Sequence, residues 1–154
     1  MDEGDGDEWP FIRETILAAD IVVLVTPIWM GQSSSVCKMV LERLDAELSE
    51  TDHDSRPLTY GKVAGIGVIG HEDGAHHVTA ELCQALNDVG FTLPAAASTY
   101  WVDEAMQRVD YQDTSPRSER TAQTTATLAA NAFHLAGLLS ASPYPGARIR
   151  HLQG

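Results

Sequence analysis

Two cysteines in 154 residues cannot build a disulfide framework, and Cys37 and Cys83 both fall in helical patterns that suit reduced, partly buried thiols. Basic side chains are scarce as well, 10 against 22 acidic, which leaves a formal charge of -12. Such a chain repels a phosphate backbone or an anionic membrane surface unless its cations are gathered on one face. They are not gathered. Arg13, Lys38, Arg43, Arg56, Lys62 and Arg108 are scattered, and Arg117/Arg120 and Arg148/Arg150 are only pairs, so nucleic acid is not an expected partner. No apolar run approaches the roughly 18 residues that cross a bilayer, and residues 1–8 are acidic where a signal peptide is basic. The expected location is the cytoplasm, without membrane attachment. Missing too are a Gly-x-Ser-x-Gly elbow, a phosphate-gripping Gly-x-x-x-x-Gly-Lys-Ser/Thr and a Gly-x-Gly-x-x-Gly that opens a helix, which removes the main support for hydrolase and kinase readings. Gly65-Ile66-Gly67 lies inside an apolar run instead.

What is present reads as one domain, since 44% hydrophobic content at this length can fill a single core. Residues 1–8, rich in Asp, Glu and Gly, are expected to be a disordered acidic tail, residues 9–141 the domain, and residues 142–154 an irregular tail. Ile12, Ile16 and Leu17 recur at helical spacing after Pro10. The continuously apolar, β-branched run Ile21 to Val25 reads as a strand covered on both faces. A helix follows, capped by Ser33, Ser34 or Ser35 and striped with Val36, Met39, Val40 and Leu44. Ser49 to Tyr60 reads as a connecting loop and Val63 to Ile69 as a strand. A helix from Ala75 to Val89, stopped by Gly90, comes next. Phe91 to Trp101 reads as a last strand, Val102 to Arg117 as irregular chain, and Glu119 to Leu139 as a long covering helix aligned on Leu128, Ala132, Leu135 and Leu139. Strands alternating with helices indicate an α/β fold, a doubly wound parallel sheet in three layers. Cys37 lies in the first turns of a helix, where the dipole lowers a thiol's pKa, but a small core residue beside Val36 and Val40 is the preferred assignment.

The run Thr26-Pro27-Ile28-Trp29-Met30-Gly31-Gln32-Ser33-Ser34-Ser35 marks a strand-turn-helix junction, and in open α/β sheets ligands bind at such carboxyl ends. It offers an aromatic ring, a glycine and a row of amides. Gly70-His71-Glu72-Asp73-Gly74-Ala75-His76-His77 stands at the end of the next strand. The order, spacing and context of the two loops resemble the flavodoxin-like NAD(P)H-dependent FMN reductases over residues 9 to 101. The resemblance implies an FMN-binding oxidoreductase that passes hydride from NAD(P)H to flavin and on to a small-molecule electron acceptor, working as a homodimer. It also implies a cofactor site made of Thr26, Pro27, Ile28, Trp29, Met30, Gly31, Gln32, Gly70, His71, Asp73 and Gly74, with no catalytic side chain of its own. The amides from Ile28 to Gln32 would face the pyrimidine edge of the ring, where electron density accumulates on reduction. Asp73 alternatively serves only as an N-cap. His71, Glu72, Asp73, His76 and His77 have metal-ligand chemistry, yet adjacent histidines on a helix point about 100° apart, so no metal is expected.

The beginning departs from the family. Its first two strands and phosphate loop have no counterpart before Ile21, so the fold is expected to be truncated at the N-terminus, with Ile21 to Val25 as a sheet edge. A further N-terminal βαβ segment of about 50 residues is expected in the functional protein. The alternative is a non-catalytic flavodoxin-fold remnant or interaction protein without bound flavin.

Overall fold

The computed structural model describes residues 4–71, 73–103 and 109–145. Among the described residues, four α-helices pack on a four-stranded sheet: α1 (Trp9–Ala18), β1 (Ile21–Trp29), β2 (Gln32–Ser33), α2 (Ser35–Leu44), β3 (Val63–Gly70), α3 (Ala75–Asp88), β4 (Ser98–Val102) and α4 (Glu119–Ala141). The sheet order is β2-β1-β3-β4, with β1, β3 and β4 parallel and β2 turned back on β1. The doubly wound α/β expectation holds, in three layers.

Alternation along the strands assigns the layers. Ile28, Ala64, Ile66 and Val68 join Leu41, Leu82 and Leu86 in the larger core beneath α2 and α3. On the other face Val63 packs with Ala132 and Leu139 of α4. The interior glycines of β3 allow close approach here: a Cβ on Gly65 would lie 3.1 Å from a methyl carbon of Leu128. Small residues in the strand thus bring α4 down onto the sheet.

Three boundaries differ from the sequence expectation. The strand expected to end at Val25 continues to Trp29. The last strand is only Ser98–Val102, because residues 91–97 carry Pro94 and contribute isolated contacts: a bridge from Thr92 to Val63, and the Ala97 carbonyl accepting from Ile66 N–H at 2.9 Å. Asp7, expected in a solvated tail, accepts from the Trp9 amide at 3.0 Å and pairs with Arg43 at 2.8 Å. That carboxylate satisfies a donor at the start of α1, where Glu8 makes no side-chain cap. Residues 1–3 and 146–154 of the two expected tails lie outside the described residues.

The other boundaries follow the sequence. Helix α3 ends in a Schellman pair, Gly90 N–H to Asn87 C=O and Phe91 N–H to Leu86 C=O, both at 3.0 Å. The loop after α2 begins with a 3₁₀ turn at Asp45–Ser49, where buried Glu47 is gripped by Arg13 of α1. The loop ends at the amino edge of the sheet, where Lys62 donates to the Ala19 carbonyl at 3.1 Å, so it is remote from the strand ends that bear the site.

Candidate functional site

β1 and β2 form a hairpin whose closing pair is Trp29 and Gln32. Met30 and Gly31 between them have φ values of 51° and 75°, the two left-handed residues of a type I′ turn. The second suits glycine and the first places Met30 under local strain. This corrects the expected use of the amides. Trp29 and Gln32 bond each other across the hairpin and Ile28 lies in the strand, so Met30 and Gly31 are the amides left at the turn tip.

Thr26 anchors the turn from below. Its buried hydroxyl accepts from Ser34 N–H at 3.1 Å, and Ser34 Oγ in turn accepts from Cys37 N–H at 3.2 Å as the N-cap of α2. The cap is therefore Ser34, of the three serines considered. Thr26 fixes the geometry of the junction and does not line the cavity above it.

The loop after β3 meets this turn backbone to backbone. Gly74 has φ 127°, and a Cβ there would lie 3.0 Å from both Cα and O of Gly31. Gly74, not Asp73, is the N-cap of α3, and it makes no side-chain cap bond. The Asp73 carboxylate instead accepts from the Gly74 amide at 2.8 Å. His77 Nε2 lies 3.3 Å from Gln32 Oε1, a second link between the loops.

Next to this junction is a cavity of about 480 Å³, walled by Trp29, His71, Trp101 and Tyr111 over a floor of Ile28 and Gly70. Trp29 is 58% exposed, whereas Trp101 is buried. The His71 ring stands edge-on to Trp101 with centroids 5.4 Å apart, and Tyr111 tilts against Trp101 at 5.3 Å. Nε2 of His71 lies 3.7 Å from Asp110, while its Nδ1 is buried without a hydrogen-bond partner among the described residues. Flat apolar walls with few polar groups are the usual make-up of a small-molecule site.

A planar heteroaromatic ring fits these residues: Trp29, His71, Trp101 and Tyr111 are in the lining, and Trp29 leads directly into the turn at Met30 and Gly31. Among the described residues lining the cavity there is no lysine or arginine.

A family description, NADPH-dependent FMN reductase, matches residues 1–107. The chain belongs to that family. Within the FMN reductase family it is 37% identical over 141 residues to the 8-demethyl-8-aminoriboflavin-5'-phosphate synthase of Streptomyces davaonensis, covering 90% of this chain and 54% of the synthase. It is 36% identical over 138 residues to the divalent metal cation transporter MntH of Mycobacterium bovis, covering 88% of this chain and 20% of the transporter. The crystal structure of RosB with the bound intermediate 8-demethyl-8-formylriboflavin-5'-phosphate aligns with a TM-score of 0.82 at 37% identity, over 90% of this chain and 55% of that one. This FMN reductase relative thus spans about half the length of the synthase and a fifth of the transporter.

Of the residues expected from the sequence, Pro27, Ile28, Trp29, Gly70 and His71 line the cavity of this FMN reductase family member. Met30, Gly31, Gln32, Asp73 and Gly74 form the loop contact beside it; Glu72 lies outside the described residues. Sequence reasoning missed Trp101, Asp110 and Tyr111, which come from the end of β4 and the chain after it. The available signal was an aromatic at the carboxyl end of a parallel strand, the end at which ligands bind. His76 turns to the Tyr100 hydroxyl at 3.2 Å and His77 to Gln32, so the two adjacent histidines do diverge.

Cys37 is buried, and burial is the main cause that pushes its thiol above the ordinary range, with the Thr26 hydroxyl opposing. A buried, protonated thiol is a poor nucleophile. We expect iodoacetamide at neutral pH to leave Cys37 unmodified in the native chain and to label it once urea unfolds the protein. Fast native labelling, read by mass spectrometry, would show that the helix start is open.

Proposed function

We propose that this chain binds the isoalloxazine ring of FMN in the cavity beside the contact of the Met30-Gly31 turn with the loop after β3, and serves an oxidoreductase using NAD(P)H and a small acceptor. The backbone contact of Gly31 with Gly74 beside the aromatic walls carries this reading, because it joins the two loops that the resemblance assigns to one ring. The bound flavin would supply the two-electron chemistry. The chain's own part is positional. Trp29 and Trp101 offer faces to planar groups, the Met30 and Gly31 amides donate toward a carbonyl-bearing edge, and His71 with Asp110 supplies the polar group at the far wall. Two unpaired thiols suit the reducing cytoplasm, and no helix among the described residues is long and apolar enough to cross a membrane. A homodimer remains part of the proposal.

One observation favours a second reading, of ring binding without turnover: among the described residues, no lysine or arginine lines the cavity to pair with the phosphate. Both readings predict that recognition rests on the ring. Flavin fluorescence titrations should give FMN and riboflavin affinities within about threefold of each other, under 1 kcal/mol. A strong preference for FMN would reveal a phosphate site elsewhere and contradict that prediction. FMN-dependent NAD(P)H oxidation by the same sample separates the enzyme from ring binding without turnover, and a chain that binds neither flavin is the non-catalytic remnant.

A further inference from the structure

Asp110 brings a carboxylate without a cationic partner to the wall of the ring cavity. Its side chain is 71% exposed and makes no capping bond to the 3₁₀ turn Tyr111–Asp113 that it starts. Among the described residues, no lysine or arginine lines the cavity to neutralise it. His71 does not cancel the charge either. Its Nε2 stands 3.7 Å away, beyond hydrogen-bond reach, and a second proton would sit on Nδ1, a buried donor without an acceptor among the described residues.

The other walls are aromatic. Trp29, Trp101 and Tyr111 line the same cavity. Trp101 packs against His71 and Tyr111, whereas among the described residues no ring meets the indole of Trp29, which is 58% exposed. Aromatic faces carry a negative quadrupole that draws cations, tryptophan most strongly, and disfavours anions. Carboxylate and ring faces therefore select in the same sense, and the formal charge of -12 adds a long-range bias toward cations. A neutral planar molecule gains stacking alone; a cationic one gains stacking and charge. Trp29 and Asp110 are both exposed, so this pair meets a ligand at the cavity mouth.

We propose that the small molecule taken beside the flavin ring is a planar aromatic cation, stacked on Trp29 with its charge toward Asp110. This names the ligand class of the site proposed above and rests on that reading. Two sources share the chemistry, the oxidised nicotinamide ring and a free aromatic cation that serves as acceptor.

The test is a titration at neutral pH and low salt, followed by NMR at the indole N–H of Trp29, on the 154-residue chain alone and saturated with riboflavin. The probes are N-methylquinolinium, quinoline and quinoline-2-carboxylate, a cation, a neutral ring and an anion of similar size. The cation should bind about tenfold more tightly than quinoline, and the carboxylate should not bind measurably. Asp110→Asn, at an exposed position, should bring the cation and quinoline within about twofold of each other. Glu42→Gln removes one charge from an exposed position of α2 and should leave the tenfold preference intact, because the effect is local. Equal binding of the three probes, a preference that survives Asp110→Asn, or one that falls as far with Glu42→Gln would overturn the proposal. 1-Methylnicotinamide distinguishes the sources: binding at least as tight as that of N-methylquinolinium assigns the place to the nicotinamide ring, and weaker binding assigns it to a free acceptor. Failure of the flavin reading shows separately, as a chain that riboflavin leaves unshifted whatever the order of the three probes.

Discussion

Gly74→Ala should abolish measurable flavin binding and destabilise the chain by about 2–4 kcal/mol. Two causes add. The backbone at Gly74 sits at φ 127°, where an L side chain is strained, and the new Cβ would lie 3.0 Å from both Cα and O of Gly31. Backbone cannot move aside as a flexible side chain does, so the loop after β3 must part from the hairpin turn, and the ring site beside their contact loses its shape. A matched control is available in Gly137→Ala. Gly137 lies within α4, and a Cβ there would meet no atom within 4 Å outside the helix's own backbone, so alanine should stabilise by up to about 1 kcal/mol. Thermal melts beside flavin titrations would check both. If Gly74→Ala retains wild-type affinity, the two loops do not jointly hold the ring.

Trp29→Ala has the opposite profile, a large effect on binding and a small one on stability. The indole is 58% exposed at the end of β1, so its removal should change folding stability by no more than about 0.5 kcal/mol. It is also a wall of the cavity. Loss of its contact with a planar ring should weaken flavin binding about 10–100-fold, or 1.4–2.7 kcal/mol. Trp29→Phe should recover much of this. A melt shifted as far as that of Gly74→Ala, with unchanged flavin affinity, would make Trp29 an anchor of the turn.

The order of strands and helices was legible in the sequence because the apolar runs are long and their periods distinct. β1 is the instructive exception. Pro27 reads as the end of a strand because it cannot donate to a ladder. In the fold its missing N–H faces the open edge, no sheet bond is lost, and the strand continues to Trp29. The hairpin followed from the same misreading: Met30-Gly31 is a tight turn only once Trp29 and Gln32 are seen to pair. The two loops could be placed on one site by family resemblance, but their direct contact depends on the left-handed backbone at Gly31 and Gly74, which composition does not reveal. Trp101 and Tyr111 were missed because the chain from Val102 to Arg117 has no period to follow, and their approach to Trp29 and His71 is tertiary.

The central claim is that the flavin ring lies in the cavity lined by Trp29, Gly70, His71 and Trp101, beside the contact of the Met30-Gly31 turn with the loop after β3. The most direct measurement is a ¹⁵N-labelled NMR titration of the chain with riboflavin, which carries the ring without the phosphate. The largest shifts should fall on the amides of Trp29, Met30, Gly31, Gly70, His71 and Gly74 and on the indole N–H groups of Trp29 and Trp101, while Trp9, in the core on the other face of the sheet, stays unchanged. Shifts confined to other parts of the chain, or none at saturating riboflavin, would contradict it.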